Sequence, residues 1–303
     1  MAGLRQGSRS EAMSVSLSPR EIAASMTLAL AVEAAAFPKP GLVTALDPGV
    51  HDDVDFFSFL KSAFAIERFF EEAAEIGQAP QEGPDDAPMR PLRSIGLRAE
   101  SAMMAATGGS NTHKGAIYFG LLLCHAAAAM GEGASPEAIC LRASATARED
   151  AERALRNAAK GEARTVGASA YAAFGMRGAR GHVIDGFPII TSVGLPAFEH
   201  ALASSGNMRR AAVHTLVHVM AENDDTTSLN RGFDASRPSA LKAAAAEAVR
   251  AGGGMTESGL RSIGELGELC RTLNANPGGS ADIVAMTLAV RFWTKGTPTH
   301  AKW

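Results

Sequence analysis

Three short stretches of the chain hold side chains that could do chemistry. The first is Gly108-Gly109-Ser110-Asn111-Thr112-His113-Lys114-Gly115, a polar knot between small residues and an apolar run. Glycines at the start of a helix let backbone N–H groups face an anion. Lys114 at that end opposes the helix dipole unless an anion offsets it. The stretch is not a Walker A loop, because Gly115 rather than Ser or Thr follows the lysine and no strand precedes it. From these residues alone an anion site and a plain helix–helix turn capped by Asn111 both stay open.

The second stretch is Lys39-Pro40-Gly41-Leu42-Val43, followed by His51-Asp52-Asp53-Val54-Asp55. Clustered carboxylates repel one another unless cations neutralise them. One of the three can cap the helix that follows. The other two suggest Mg²⁺, a hard cation that takes oxygen ligands and bridges to substrate phosphates; capping plus solvation is the competing account. The third stretch, Glu222-Asn223-Asp224-Asp225-Thr226 through Arg231-Gly232, falls at a helix C-terminus. Acids there oppose the dipole, so a second carboxylate site is expected, with Arg231 nearby for phosphate. His214 and His218 on the same helix are spaced i, i+4, but no H-E-x-x-H pattern accompanies them and their apolar neighbours mark a core stripe rather than a zinc site. Glu100 precedes Met103, Met104 and Thr107 on one helix face and is placed to point at the Asn111–Lys114 knot. Asp282, after Asn276-Pro277-Gly278-Gly279-Ser280-Ala281, either caps the last helix or lines the site.

Helices must position these stretches. Ser18-Pro19-Arg20-Glu21 is an N-cap, a first-turn proline and a capping-box glutamate, opening a helix that runs to Ala36, where Phe37-Pro38-Lys39-Pro40-Gly41 stops it. A second helix is expected over 55–76, with an apolar stripe of Phe56, Phe59, Leu60, Ala63 and Phe64. Residues 78–90, rich in Pro, Gly, Asp and Gln, read as an exposed loop. Further helices are expected at 91–106, 115–130, 135–159, 196–204, 208–222, 238–251, 256–273 and 281–294. The glycine-bearing segment 160–195 reads as irregular, with room for one short strand at His182–Ile190. The fold class is therefore all-α: a flexible tail over 1–16, then a single large helical catalytic domain over 17–303 with long functional loops.

Composition narrows the function. With 46% hydrophobic and 20% charged residues the chain has the make-up of an ordinary globular protein. A net charge of -3 offers no nucleic-acid surface. Cys124, Cys140 and Cys270 lie far apart without C-x-x-C, which fits a reducing cytoplasm. The N-terminus lacks the apolar core of a signal peptide, and the apolar run Gly115–Gly131 is short for a membrane span. No membrane and no nucleic-acid partner are expected; a homo-oligomer stays open.

Taken in order, K-P-G-L-V at 39–43, H-D-D-V-D-F at 51–56, A-T-G-G-S-N-T-H-K-G-A-I at 106–117, D-D-T at 224–226 with R-G at 231–232, and P-G-G-S-A-D at 277–282 resemble the triphosphoribosyl-dephospho-CoA synthases that serve citrate lyase and malonate decarboxylase. The match spans roughly residues 20–295. Thr44 and Thr227 depart from it, standing where Asp and Asn are expected. The resemblance implies that ATP and 3′-dephospho-CoA give 2′-(5″-triphosphoribosyl)-3′-dephospho-CoA and adenine, and that a separate holo-acyl-carrier-protein synthase uses the product, with malonate decarboxylase the favoured client. It implies roles for the residues above. Asp52, Asp53, Asp224 and Asp225 become ligands for Mg²⁺ carried with ATP, and Lys39, Lys114 and Arg231 hold phosphates. Glu100 or an aspartate such as Asp53 or Asp225 acts as general base, and His113 or His51 meets the departing adenine. Asn111, Thr112 and Asp282 complete substrate binding. The alternatives are a Mg²⁺-dependent nucleosidase or ADP-ribosyl hydrolase on the same carboxylates, and a non-catalytic nucleotide-binding helical protein.

Overall fold

The computed structural model describes residues 17–80 and 89–302. The expected tail over 1–16 and the middle of the expected loop over 78–90 lie outside them. Among the described residues there are twelve α-helices and no strand. They are α1 (Pro19–Ala35), α2 (Phe56–Gln78), α3 (Met89–Ala106), α4 (Lys114–Met130), α5 (Pro136–Ala159), α6 (Val166–Phe174), α7 (Gly178–Asp185), α8 (Leu195–Ser205), α9 (Met208–Glu222), α10 (Ser236–Arg250), α11 (Glu257–Leu273) and α12 (Gly278–Lys295).

Local chemistry sets several boundaries. Ser18 and Glu21 form the reciprocal capping box that opens α1, the Ser18 N–H donating to the glutamate at 2.8 Å. Asp55 caps α2, accepting from the Ser58 N–H at 2.8 Å, which accounts for one of the three clustered carboxylates. The buried face of α2 differs from the stripe expected. It runs through Ser62, Ala63, Ile66, Phe69, Phe70, Ala73 and Ala74, and Phe64 is exposed. The first turns of α2 stand beside an open cavity, so the apolar core begins only at Ala63, and hydrogen bonding draws the polar Ser62 inside.

Helix α4 is the axis of the molecule. It is buried on nearly every side by α1, α2, α3, α5 and α12, as a helix apolar all round must be. The α2–α4 crossing is close because two glycines lie in it: a Cβ at Gly77 would strike the His125 carbonyl, and one at Gly120 the Phe70 ring. One continuous apolar cluster draws members from Ile22 in α1 to Phe292 in α12.

The segment read as irregular is more ordered than expected. It holds α6, α7 and a π-helical turn over Ile189–Gly194. The strand expected at His182–Ile190 is absent: Val183, Phe187 and Ile190 are buried at a helical spacing of three to four residues. Left-handed glycines at Gly175 and Gly186 end the short helices. Among the described residues no helix is long and apolar enough to cross a membrane.

Candidate active site

The C-terminus of α1, the first turns of α2 and α4, the start of α12 and the segments around 39–51, 227–230 and 276 enclose a polar cavity of about 150 Å³. Lys39, His51, Asn111, Thr112, His113, Lys114 and Asp282 all line it, whereas the third stretch contributes only Thr227 and Asn230.

Lys39 is buried at the cavity, its Nζ 2.7 Å from Glu33 Oε1. Two left-handed glycines bring the 39–51 segment back on itself: Gly41 and Gly49 have φ of +67° and +64°, and a Cβ at Gly49 would strike the Gly41–Leu42 backbone. That fold places His51 on the cavity wall. Asn276 Nδ2 donates to His51 Nε2 at 2.7 Å, and His51 Nδ1 lies 3.3 Å from Arg231 Nη2 and 3.5 Å from Asp53 Oδ1. Burial, then the Arg231 charge, pushes the His51 pKa down. Asp53 and Asp52 flank the same guanidinium at 3.8 and 4.0 Å, Asp52 almost fully in solvent.

His113 is buried against Phe59 with ring centroids 5.2 Å apart. Thr112 Oγ1 donates to Ser62 Oγ at 2.7 Å, and Ser62 meets His113 Nδ1 at 2.7 Å. Burial, reinforced by the Lys39 charge, pulls the His113 pKa down to about 3. The ring is neutral at physiological pH.

Lys114 meets the anion its position at the start of α4 calls for: Glu100 of α3, at 2.8 Å. Asn111 also caps here, accepting from the Lys114 N–H at 3.1 Å. Asp282 packs against the same turn, where a Cβ on Gly115 would collide with its carboxylate. Burial raises the Asp282 pKa well above the carboxylate range, the charges of Asp225 and Glu33 raise it further, and a hydrogen bond from the Ala116 N–H opposes the shift.

The adjacent acids of the third stretch part company. Asp225 is buried and accepts from the Thr227 N–H and Oγ1, the Gly279 N–H and the Ser280 N–H and Oγ, at 2.6–3.2 Å. These donors occupy the lone pairs of both oxygens and tie the 225–227 turn to α12. Asp224 points to the surface and pairs with Lys242 at 2.9 Å. The four aspartates expected to share a metal are therefore not brought together, and among the described residues no three His, Cys, Asp or Glu side chains are arranged to hold a metal ion. Glu100 stands outside the polar cavity, on the wall of a second one of about 430 Å³ that shares Lys114 and Gly115 with the first. His214 and His218 stand apart from both, with His200 and Glu222 around a separate hollow.

Sequence reasoning missed Glu33, Ser62, Asn230 and Asn276. Glu33 carried a signal, as the one charged residue in the apolar run Met26–Phe37. Ser62 carried none. Thr44, the first departure, closes its own turn by accepting from the Leu46 and Asp47 N–H groups. Thr227, the second, faces the cavity.

The ATP:dephospho-CoA triphosphoribosyl transferase family matches residues 19–299. The 2-(5''-triphosphoribosyl)-3'-dephosphocoenzyme-A synthase of Escherichia fergusonii is 32% identical over 289 residues, covering 92% of this chain and 93% of that one. The synonymous protein of Klebsiella pneumoniae is 32% identical over 277 residues, covering 89% and 90%. The crystal structure of an Archaeoglobus fulgidus protein, provisionally named triphosphoribosyl-dephospho-CoA synthase, superposes with a TM-score of 0.51 at 18% identity over 78% of this chain and all of that one, a likeness of fold. Family and relatives together make this helical scaffold that of a transferase. The chain belongs to the ATP:dephospho-CoA triphosphoribosyl transferase family.

Proposed function

We propose that the protein transfers the 5-triphosphoribosyl group of ATP to the ribose 2′-hydroxyl of 3′-dephospho-CoA and releases adenine. The observation that carries this reading is the convergence of Lys39, His113, Lys114 and Asp282 on one small cavity in a chain of this family.

The bond from adenine to the anomeric carbon must break while the triphosphate stays whole, through an oxocarbenium-like transition state. Lys39 and Lys114 neutralise phosphate oxygens, with Arg231 at the rim. His113, its ring neutral, hydrogen-bonds the departing adenine. Asp282 takes the proton of the incoming hydroxyl as the new C–O bond forms. Its raised pKa makes Asp282 a stronger proton acceptor than an ordinary carboxylate, and its ionised form stabilises the positive sugar. The charges of Asp225 and Glu33 raise the proton affinity of Asp282, an excess of negative charge that suits a divalent cation entering with the triphosphate. Asp282 and Glu33, which face the cavity, are the residues to meet Mg²⁺ there, and the ion would neutralise phosphate charge. The product serves as prosthetic-group precursor for an acyl-carrier subunit of malonate decarboxylase or citrate lyase, after transfer by a separate enzyme.

The test is adenine release. Purified protein is incubated with ATP and Mg²⁺, with and without 3′-dephospho-CoA, and products are separated by chromatography with mass detection. Adenine plus a triphosphoribosyl adduct of dephospho-CoA, formed only with both substrates, is expected. Adenine from ATP alone would replace the transferase with a hydrolase, and no adenine in either tube would remove the reading.

A further inference from the structure

The second cavity is larger than the first, about 430 against 150 Å³, and of different character. One wall is apolar: Leu92, Leu97, Ile117, Tyr118 and Leu121 from α3 and α4. Leu97 is 66% exposed, a large side chain left in water beside this wall. The other wall is cationic. Arg93, Lys114, Arg177 and Arg180 face two carboxylates, Glu100 and Asp150, so positive charge predominates. Lys114 is paired with Glu100, Arg93 with Asp150 at 2.8 Å, and Arg177 with Asp185. Arg180 is half-buried and has no ion pair among the described residues. A cation held in a partly dry wall without an anion has charge to offer a ligand.

We propose that this cavity is the acceptor subsite, binding an adenosine 5′-diphosphate that carries a long amphipathic arm, with the diphosphate on Arg180 and Arg93 and the arm along Leu97 and Tyr118. The proposal rests on the transferase reading, which requires a second, large, anionic and partly apolar substrate. Size, charge and the apolar wall fit such a molecule. The shared turn explains how two bound substrates can react. Lys114 and Gly115 line both cavities, and Asp282 lies against Gly115, so an acceptor hydroxyl entering from the second cavity meets Asp282 and the anomeric carbon at the junction.

The experiment compares wild-type protein with Arg180→Gln and Leu97→Asp, folding being checked by circular dichroism. Calorimetry measures binding of 3′-dephospho-CoA and of ADP, which keeps the diphosphate and lacks the arm. Kinetics of adenine release give KM for each substrate. Arg180→Gln should weaken dephospho-CoA binding and raise its KM by about tenfold or more, the loss expected for a charge-assisted hydrogen bond, with KM for ATP unchanged. Leu97→Asp should abolish the preference for dephospho-CoA over ADP. Equal binding of dephospho-CoA by all three proteins, or a rise confined to KM for ATP, would overturn the assignment while leaving the transferase reading intact. Binding lost in Arg180→Gln with no turnover in the wild type would retain the subsite and remove the transferase. Absence of dephospho-CoA binding by the wild type would remove both.

Discussion

The carboxylate of Asp282 lies against Gly115, at the first turn of the buried helix α4, in the space a β-carbon would fill. Gly115 is thus the reason a charged residue of α12 can reach the junction of the two cavities. Gly115→Ala should favour the helix by up to about 1 kcal/mol in propensity and yet displace Asp282. The expected result is a protein with nearly unchanged Tm and a kcat reduced at least tenfold. Full activity would detach Asp282 from the chemistry.

Asp282 also gives a pH signature. Its folded pKa lies above the unfolded value near 3.8, because burial and the charges of Asp225 and Glu33 disfavour the ionised form. The folded state then binds more protons, so this group's contribution is full below the unfolded pKa and is lost as pH rises through the folded one. Asp282→Asn removes that loss. The variant should gain stability relative to wild type at pH 8 more than at pH 4 in urea titrations, while losing roughly 10²-fold or more in turnover. A stability difference independent of pH would show that the carboxyl titrates normally.

Asp224 and Asp225 look equivalent in the sequence and are opposites in the structure. Asp224→Asn breaks a surface pair with Lys242, and both activity and Tm should hold, since exposed pairs contribute little. Asp225→Asn turns an amide N–H₂ toward Ser280 or Gly279 donors, leaving buried groups unpartnered at about 1–3 kcal/mol each. A fall in Tm with loss of activity is expected for the second variant alone.

The contrast shows what was legible. Helix positions were readable where capping and periodicity agree, as at Ser18–Glu21 and along α4, because both signals are local. The polar stretches stood out in the sequence because acids and a lysine at the wrong ends of helices are costly unless something offsets them, and Lys114 has its offset in Glu100. Which acid does what was not readable. The five donors to Asp225 come partly from α12, some 55 residues away, and the Asp282 environment depends on packing against Gly115. Ser62 gave no hint, since its role is fixed only when His113, 51 residues on, is brought beside it. The segment 160–195 was misread because its glycines end short helices rather than prevent them.

Glu33 and Lys39 test whether the buried pair serves the fold or the substrate. They are 2.7 Å apart and nearly inaccessible, with side-chain exposures of 8% and 3%. Lys39→Met leaves Glu33 as an uncompensated buried charge, and removing one partner of such a pair costs about 3–5 kcal/mol. Lost activity in that variant would therefore prove nothing about phosphate binding. The double variant Glu33→Leu, Lys39→Met removes both charges at once, and apolar replacements of similar volume restore stability in such cases. If Lys39 holds phosphate, the double variant should melt near the wild-type temperature and still show an ATP KM raised tenfold or more, in line with loss of a charge-assisted contact of about 1.5–3 kcal/mol. If it recovers both stability and ATP affinity, the pair is structural and the phosphates are left to Lys114 and Arg231.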